Sequence, residues 1–156
     1  MTGAMRGATS GPRLAVRAVV LDRGRVLVVN AYPGEESDLW CAPGGGVERG
    51  RSLADNLRRE VAEETGLAVE PGRLLAVSEF HNPEEGFHQV DLIYAARLGG
   101  AADAAVLRDP GGVVNRLRWV DAEALSRLRF KPDSLARLAF GPEGPVVYDP
   151  LEMLVR

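Results

Sequence analysis

Residues 43–67 read PGGGVERGRSLADNLRREVAEETGL. The second half has helix punctuation: Ser52 as an N-cap, a run of good helix formers, and Gly66 where a left-handed C-terminal cap belongs, which predicts a helix over 52–65. Leu53 and Leu57 start an apolar stripe that a core helix would continue at 60, 61 and 64. Only Val61 obeys. Positions 60 and 64 are glutamate, and with Glu63 they place three carboxylates at i, i+3 and i+4 on the edge of the buried face, where their repulsion calls for a counter-charge. Clustered oxygen donors suit Mg²⁺ or Mn²⁺. Taken alone, a Glu-rich stretch beside Arg58 and Arg59 is also what a solvated face with weak ion pairs looks like. The loop ahead of it, Pro43 to Glu48, adds a glycine run that brings backbone N–H groups to the helix start, where anions are favoured.

Outward from this segment, RLAVRAVVLDRGRVLVVNAY from Arg13 reads as two antiparallel strands turning at Asp22–Arg25. A polar loop (Pro33–Asp38) and a short strand (Leu39–Ala42) lead into the glycines. Beyond the helix, residues 73–80 and 88–98 read as strands joined by the turn His81–Phe87. A loose Gly/Ala/Asp segment follows from Gly99 to Gly112, then a strand over Val113–Val120. Asp121 caps a short helix through Leu128, and Pro132 opens a last helix ending near Phe140. The order predicts a mixed α/β (α+β) domain over residues 13–156, with helices on both faces of a sheet and residues 1–12 as a flexible tail.

The 156 residues are 46% hydrophobic and 26% charged, ordinary for one globular core. Nineteen basic residues against 22 acidic ones give a net charge of −3, which disfavours binding to nucleic acid. The basic residues are arginine apart from Lys131, and arginine grips phosphate in a bidentate way. With Cys41 the only cysteine, no intrachain disulfide can form, and no run suggests a signal peptide or a membrane span, so a cytoplasmic protein is expected. Cys41 itself reads as a small buried hydrophobe. Trp40, Phe80, Phe87, Tyr94, Trp119 and Phe130 read mainly as core, and His81 and His88 as exposed on their turn.

Loop and helix together read Gly45-x5-Arg51-x7-Arg59-Glu60-Val61-x-Glu63-Glu64-x-Gly66-Leu67, which closely resembles the Nudix box, G-x5-E-x7-R-E-U-x-E-E-x-G-U with U apolar. Leu39-Trp40 and Pro43-Gly44 resemble the family's lead-in. The resemblance implies an α/β/α sandwich with a mixed sheet, and a metal-dependent pyrophosphohydrolase that cuts a diphosphate linkage in a small-molecule nucleotide. Carried over by position, Glu60, Glu63 and Glu64 would be the metal ligands with the carbonyl of Gly44 or Gly45, and Arg59 would orient them. Glu63, Glu64, Glu84 and Glu85 are open candidates for the general base. Gly45, Gly46, Arg51, Glu84 and Glu85 would touch substrate. A homodimer is compatible with the family.

The one departure is Arg51, where the family has a glutamate that pairs with the box arginine. Either Asp55, one turn before Arg59, replaces that carboxylate, or Arg51 faces the substrate and grips a phosphate. Pro83 inclines the reading towards ADP-ribose or a nucleotide sugar, with nucleoside triphosphates next. The alternative is a Nudix-like module that senses a nucleotide without cutting it, with Arg51 as the mark of decay.

Overall fold

The computed structural model describes residues 11–102 and 113–156. Most of the expected tail and residues 103–112 of the loose segment lie outside the described residues. The chain runs β1 (Arg13–Asp22), β2 (Arg25–Asn30), β3 (Leu39–Cys41), β4 (Gly44–Gly46), α1 (Leu53–Thr65), β5 (Val69–Asn82), β6 (Phe87–Leu98), β7 (Leu117–Val120), α2 (Ala122–Ser126), β8 (Arg129–Lys131), α3 (Leu135–Phe140) and β9 (Val147–Met153). A 3-10 turn, Pro83–Glu85, joins β5 to β6.

The strands form a mixed sheet in the order β8-β3-β2-β1-β6-β5-β9, with β4 added to β1 and β7 to β2. The β1–β2 hairpin closes as expected: Arg23 and Gly24 both have positive φ (52° and 76°), the backbone that a two-residue turn matched to strand twist requires. Strand β1 is the hinge between the layers because its side chains alternate. Val16, Ala18 and Val20 pack with Leu57 and Val61 of α1. Val19 faces the other way, into a cluster with Ile93, Leu125 of α2 and Leu135 of α3. Helices therefore cover both faces, as the element order implied.

Several boundaries differ from the sequence reading. The strand expected from Arg73 starts at Val69, because the pairing with β6 passes through Pro71-Gly72 by register shifts that take up the two breakers. The strand expected over Val113–Val120 is confined to Leu117–Val120, since Val113 to Arg116 instead serve the buried Asn30. The Asn30 side chain donates to the Val113 carbonyl (2.8 Å) and accepts from the N–H groups of Asn115 and Arg116 (both 2.9 Å). The last helix begins at Leu135 and not at Pro132, because Arg129–Lys131 stay extended to pair in parallel with β3. The α2 helix stops at Ser126, short of the expected Leu128, where Arg127 and Leu128 turn to i−3 carbonyls. Strands β4, β8 and β9 were not foreseen.

Leu57 is fully buried between α1 and the sheet. Leu57→Ala should cost roughly 2–5 kcal/mol of stability, read as a lower urea midpoint with unchanged slope. A loss under about 0.5 kcal/mol would mean that α1 is not packed as described.

Candidate active site

Ser52 caps α1 by accepting from the Asp55 N–H (3.0 Å), and Gly66 closes it in the left-handed conformation at φ 71°. The loop is fastened to the helix by Asn56, which is fully buried. Its amide donates to the carbonyls of Ser52 (2.8 Å) and Arg51 (3.2 Å), and its carbonyl accepts from the Glu48 N–H (2.9 Å) and from Arg59 (2.9 Å). Nothing in the sequence reading singled out Asn56. A polar residue on the Leu53-Leu57-Val61 face was the available signal.

The glycine strand β4 lies directly against the carboxylates. Glu64 is buried and accepts from the Gly44 N–H at 2.9 Å. Glu60 occupies the space that a side chain at Gly45 would need: a Cβ there would stand 2.4 Å from Oε2 of Glu60. A Cβ at Gly44 would stand 2.0 Å from the Val16 carbonyl, so strand pairing alone demands glycine there. Arg59 reaches across the group, donating to Glu60 (2.9 Å), to the Gly46 carbonyl (3.2 Å) and, more loosely, to Glu63 (3.4 Å). Partial burial pulls the pKa of its guanidinium down, but the hydrogen bond to Glu60 and the charges of Glu60, Glu48 and Glu63 raise it above the ordinary arginine value. Arg59 is thus the counter-charge that the clustered carboxylates call for.

Among the described residues no three acidic, histidine or cysteine side chains converge closely enough to hold a metal ion as they stand. Glu60 and Glu63 are turned to Arg59, and Glu64 to Gly44. The donor set does fit a hard divalent cation in kind, being all oxygen, and the side-chain-free strand leaves room for a carboxylate directly on the backbone.

Asp55 does not replace the missing box carboxylate. It pairs with Arg58 at 2.8 Å on the exposed side of the helix, and Arg58 also holds Glu70. The physical reason is that Asn56 draws Arg59 towards the loop, away from Asp55. Glu48 takes that place instead, lying 3.6 Å from Arg59 and 3.3 Å from Arg51. Arg51 is spent on this half-exposed pair and does not line the cavity described next.

A cavity of about 340 Å³ opens on the face of β1 opposite α1, between β1, β5, β6 and the C-terminal residues 154–156. Its polar wall is a relay across β1 and β6. Arg17 donates to Asp91 (3.2 Å) and to the Ala42 carbonyl (3.0 Å), Gln89 donates to Asp91 (2.7 Å), and Arg13 donates to Gln89. Tyr32, Phe80 and Phe87 supply its aromatic surface. Glu85 lines the cavity, whereas Glu84 is exposed outside it. His81 and His88 face each other across β5 and β6 (ring centroids 6.2 Å apart) and are not part of the lining. Arg13, Arg17, Gln89 and Asp91 escaped the sequence reading. Charged residues interrupting the apolar runs LAVRAVVL and HQVDLIY were the trace they left.

The chain matches the family model for the NUDIX domain over residues 11–139. It is similar to the Bacillus subtilis protein YjhB (34% identical over 90 residues, 56% of this chain and 42% of that protein). It is also similar to the 8-oxo-dGDP phosphatase NUDT18 of Homo sapiens (31% over 121 residues, 77% of this chain and 32% of that protein). The chain thus spans less than half the length of these curated relatives. Among solved structures, a MutT NUDIX hydrolase from Burkholderia pseudomallei superposes with a TM-score of 0.68 at 26% identity, covering 81% of this chain and 95% of that one. An ADP-ribose pyrophosphatase from Streptococcus suis shares the fold at TM-score 0.64 and 22% identity, covering 89% of this chain and all of that one (100%).

Cys41 tests the cavity's environment. Burial pushes its thiol up to about 11 from the ordinary value, against the opposing pull of Arg17. Because the folded pKa is the higher one, the thiol's contribution to stability is full below the unfolded pKa and is lost as pH rises towards about 11. At pH 8 a thiol-exchange reagent should therefore label the folded protein at least roughly tenfold more slowly than the urea-unfolded chain. Equal rates would mean that Cys41 is open and its thiolate accessible.

Proposed function

The chain belongs to the Nudix family, and from that membership we propose that it is a pyrophosphohydrolase dependent on Mg²⁺ or Mn²⁺, cleaving the diphosphate of a nucleoside diphosphate derivative. The observation that carries this reading is the pairing of a carboxylate group pressed onto a glycine strand with a cavity on the other side of that strand. The base of a nucleotide fits the aromatic surface of Tyr32, Phe80 and Phe87, and its diphosphate would cross β4 to reach Glu60, Glu63 and Glu64.

Glu60 and Glu64, each seated against the backbone of β4, would hold the metal together with Glu63 and a glycine carbonyl of that strand. When bound, the metal supplies positive charge against the diphosphate oxygens and acidifies a water. Glu63 is the most exposed of the three carboxylates, held among the described residues by the 3.4 Å contact to Arg59, and is our choice to take the water's proton. Arg59, anchored by Asn56 and Gly46, would hold Glu60 and Glu63 in position. Glu85, at the cavity rim, is the second choice for the base. Two of the proteins this chain is similar to, an ADP-ribose pyrophosphatase and an 8-oxo-dGDP phosphatase, have a nucleoside diphosphate in common, and this common part is the substrate class proposed. Pro83, on the turn that carries Glu85, inclines the choice towards ADP-ribose or a nucleotide sugar.

Glu64→Gln isolates the charge, because the amide oxygen can still accept from the Gly44 N–H. Assayed with Mn²⁺ on ADP-ribose, a nucleotide sugar and nucleoside triphosphates, the native chain should turn over at least one. The variant should lose about a hundredfold or more in kcat with its melting temperature nearly unchanged. No turnover of any compound, with nucleotide binding retained, would replace the hydrolase by a sensing module.

A further inference from the structure

Among the described residues four cations line the cavity: Arg13, Arg17, Lys131 and Arg156. Three have carboxylate partners: Arg17 has Asp91, Lys131 has Asp133 and Glu152, and Arg156 has Glu36 at 3.8 Å. Arg13 alone has none among the described residues, its bond being to the neutral side-chain carbonyl of Gln89. In a chain with a net charge of −3, an arginine held at a cavity wall without a counter-charge is set to receive an anion.

The placement of Arg13 is specific. One end of its guanidinium is fixed by Gln89, which is itself buried and tied to Asp91 at 2.7 Å. The other end lies across Gly46, where a Cβ would stand 2.7 Å from Nη2. Successive residues of a strand face opposite sides. Gly45 therefore receives Glu60 on one side of β4, and Gly46 receives Arg13 on the other, the cavity side. An arginine carries five N–H donors in a fixed fork, so the bond to Gln89 leaves others to offer.

We propose that Arg13 is a phosphate-binding and specificity-determining residue, which grips the phosphate nearest the nucleoside and so sets which phosphate of the chain crosses β4 to the carboxylates. Gln89 is its positioning residue, and the bare backbone at Gly46 is its seat. This rests on the hydrolase reading for the path of the diphosphate, but the grip itself is a binding property and is measured without turnover.

The test is calorimetric titration of the full chain, without divalent metal, by whichever of ADP, GDP and UDP it binds best, and in parallel by the matching nucleoside. Arg13→Ala should weaken diphosphate binding by about tenfold or more, the scale of a charge-assisted hydrogen bond, and leave nucleoside binding within about twofold. Arg13→Lys should recover part of the loss and restore the salt dependence, because the charge returns without the fork. Gly46→Ala should reproduce the loss with Arg13 still present, since only the flexible end of that arginine must move aside. Arg127→Ala, which removes an arginine from the exposed surface of α2, should change neither affinity. Diphosphate affinity unchanged in Arg13→Ala, or an equal loss for nucleoside and diphosphate, would overturn the proposal. A native chain that hydrolyses nothing, yet shows the Arg13-dependent diphosphate affinity, would overturn the hydrolase reading and leave this one standing.

Discussion

Three carboxylates crowded on one edge of α1 repel one another, and the surrounding structure is arranged to hold that repulsion in place. Positive charge comes from Arg59, which spans Glu60, Glu63 and Glu48. The approach of helix to sheet requires a strand without side chains, because any residue larger than glycine at position 45 would meet Glu60 and at position 44 would meet β1. A helix whose function was only to cover the core would have apolar residues at 60 and 64 and could pack against an ordinary strand. The sequence accepts the unfavourable arrangement, and clustered like charges of this kind are found where a candidate functional site is expected.

Strand β1 links this edge to the cavity. Its even-numbered residues Val16, Ala18 and Val20 hold α1 in place, and its odd-numbered Arg13 and Arg17 reach into the cavity on the other face. β4, paired to β1, is thin enough for both sides to meet at its backbone. Substitutions along β1 would therefore be felt in both places: an apolar change shifts α1 and with it the carboxylates, and a polar change alters the relay through Gln89 and Asp91. The substitution of the box glutamate by Arg51 is absorbed in the same local way. Glu48, three residues earlier, serves both Arg51 and Arg59, and Asn56 ties the loop to the helix.

The sequence made legible what is carried by short-range rules. The helix caps at Ser52 and Gly66, the hairpin at Arg23-Gly24, and the break in the apolar stripe at Glu60 and Glu64 are all local, and the structure has them where the pattern puts them. Contacts between residues far apart in the chain were not legible. Strands β8 and β9 are short or interrupted by Pro150, and they exist because distant partners, Leu39–Cys41 and Ala76–His81, receive them. Arg17 and Asp91 are separated by 74 positions, and only the parallel pairing of β1 with β6 joins them. Asp55 looked like the partner of Arg59 by helical spacing, but spacing could not show that Asn56 would turn Arg59 the other way. Glu84 and Glu85 were indistinguishable as neighbours on a turn, and the fold brings only Glu85 to the cavity.

The Glu60, Glu63 and Glu64 edge is proposed to hold a divalent cation in place of the contacts Arg59 now makes. The most direct measurement is electron paramagnetic resonance of free Mn²⁺ titrated into the full chain, native and Glu60→Gln. Saturable loss of the free Mn²⁺ signal in the native chain, largely abolished in the variant, is the predicted result. Binding that is absent, or equal in the two proteins, would contradict the claim and leave these carboxylates as partners of Arg59 alone.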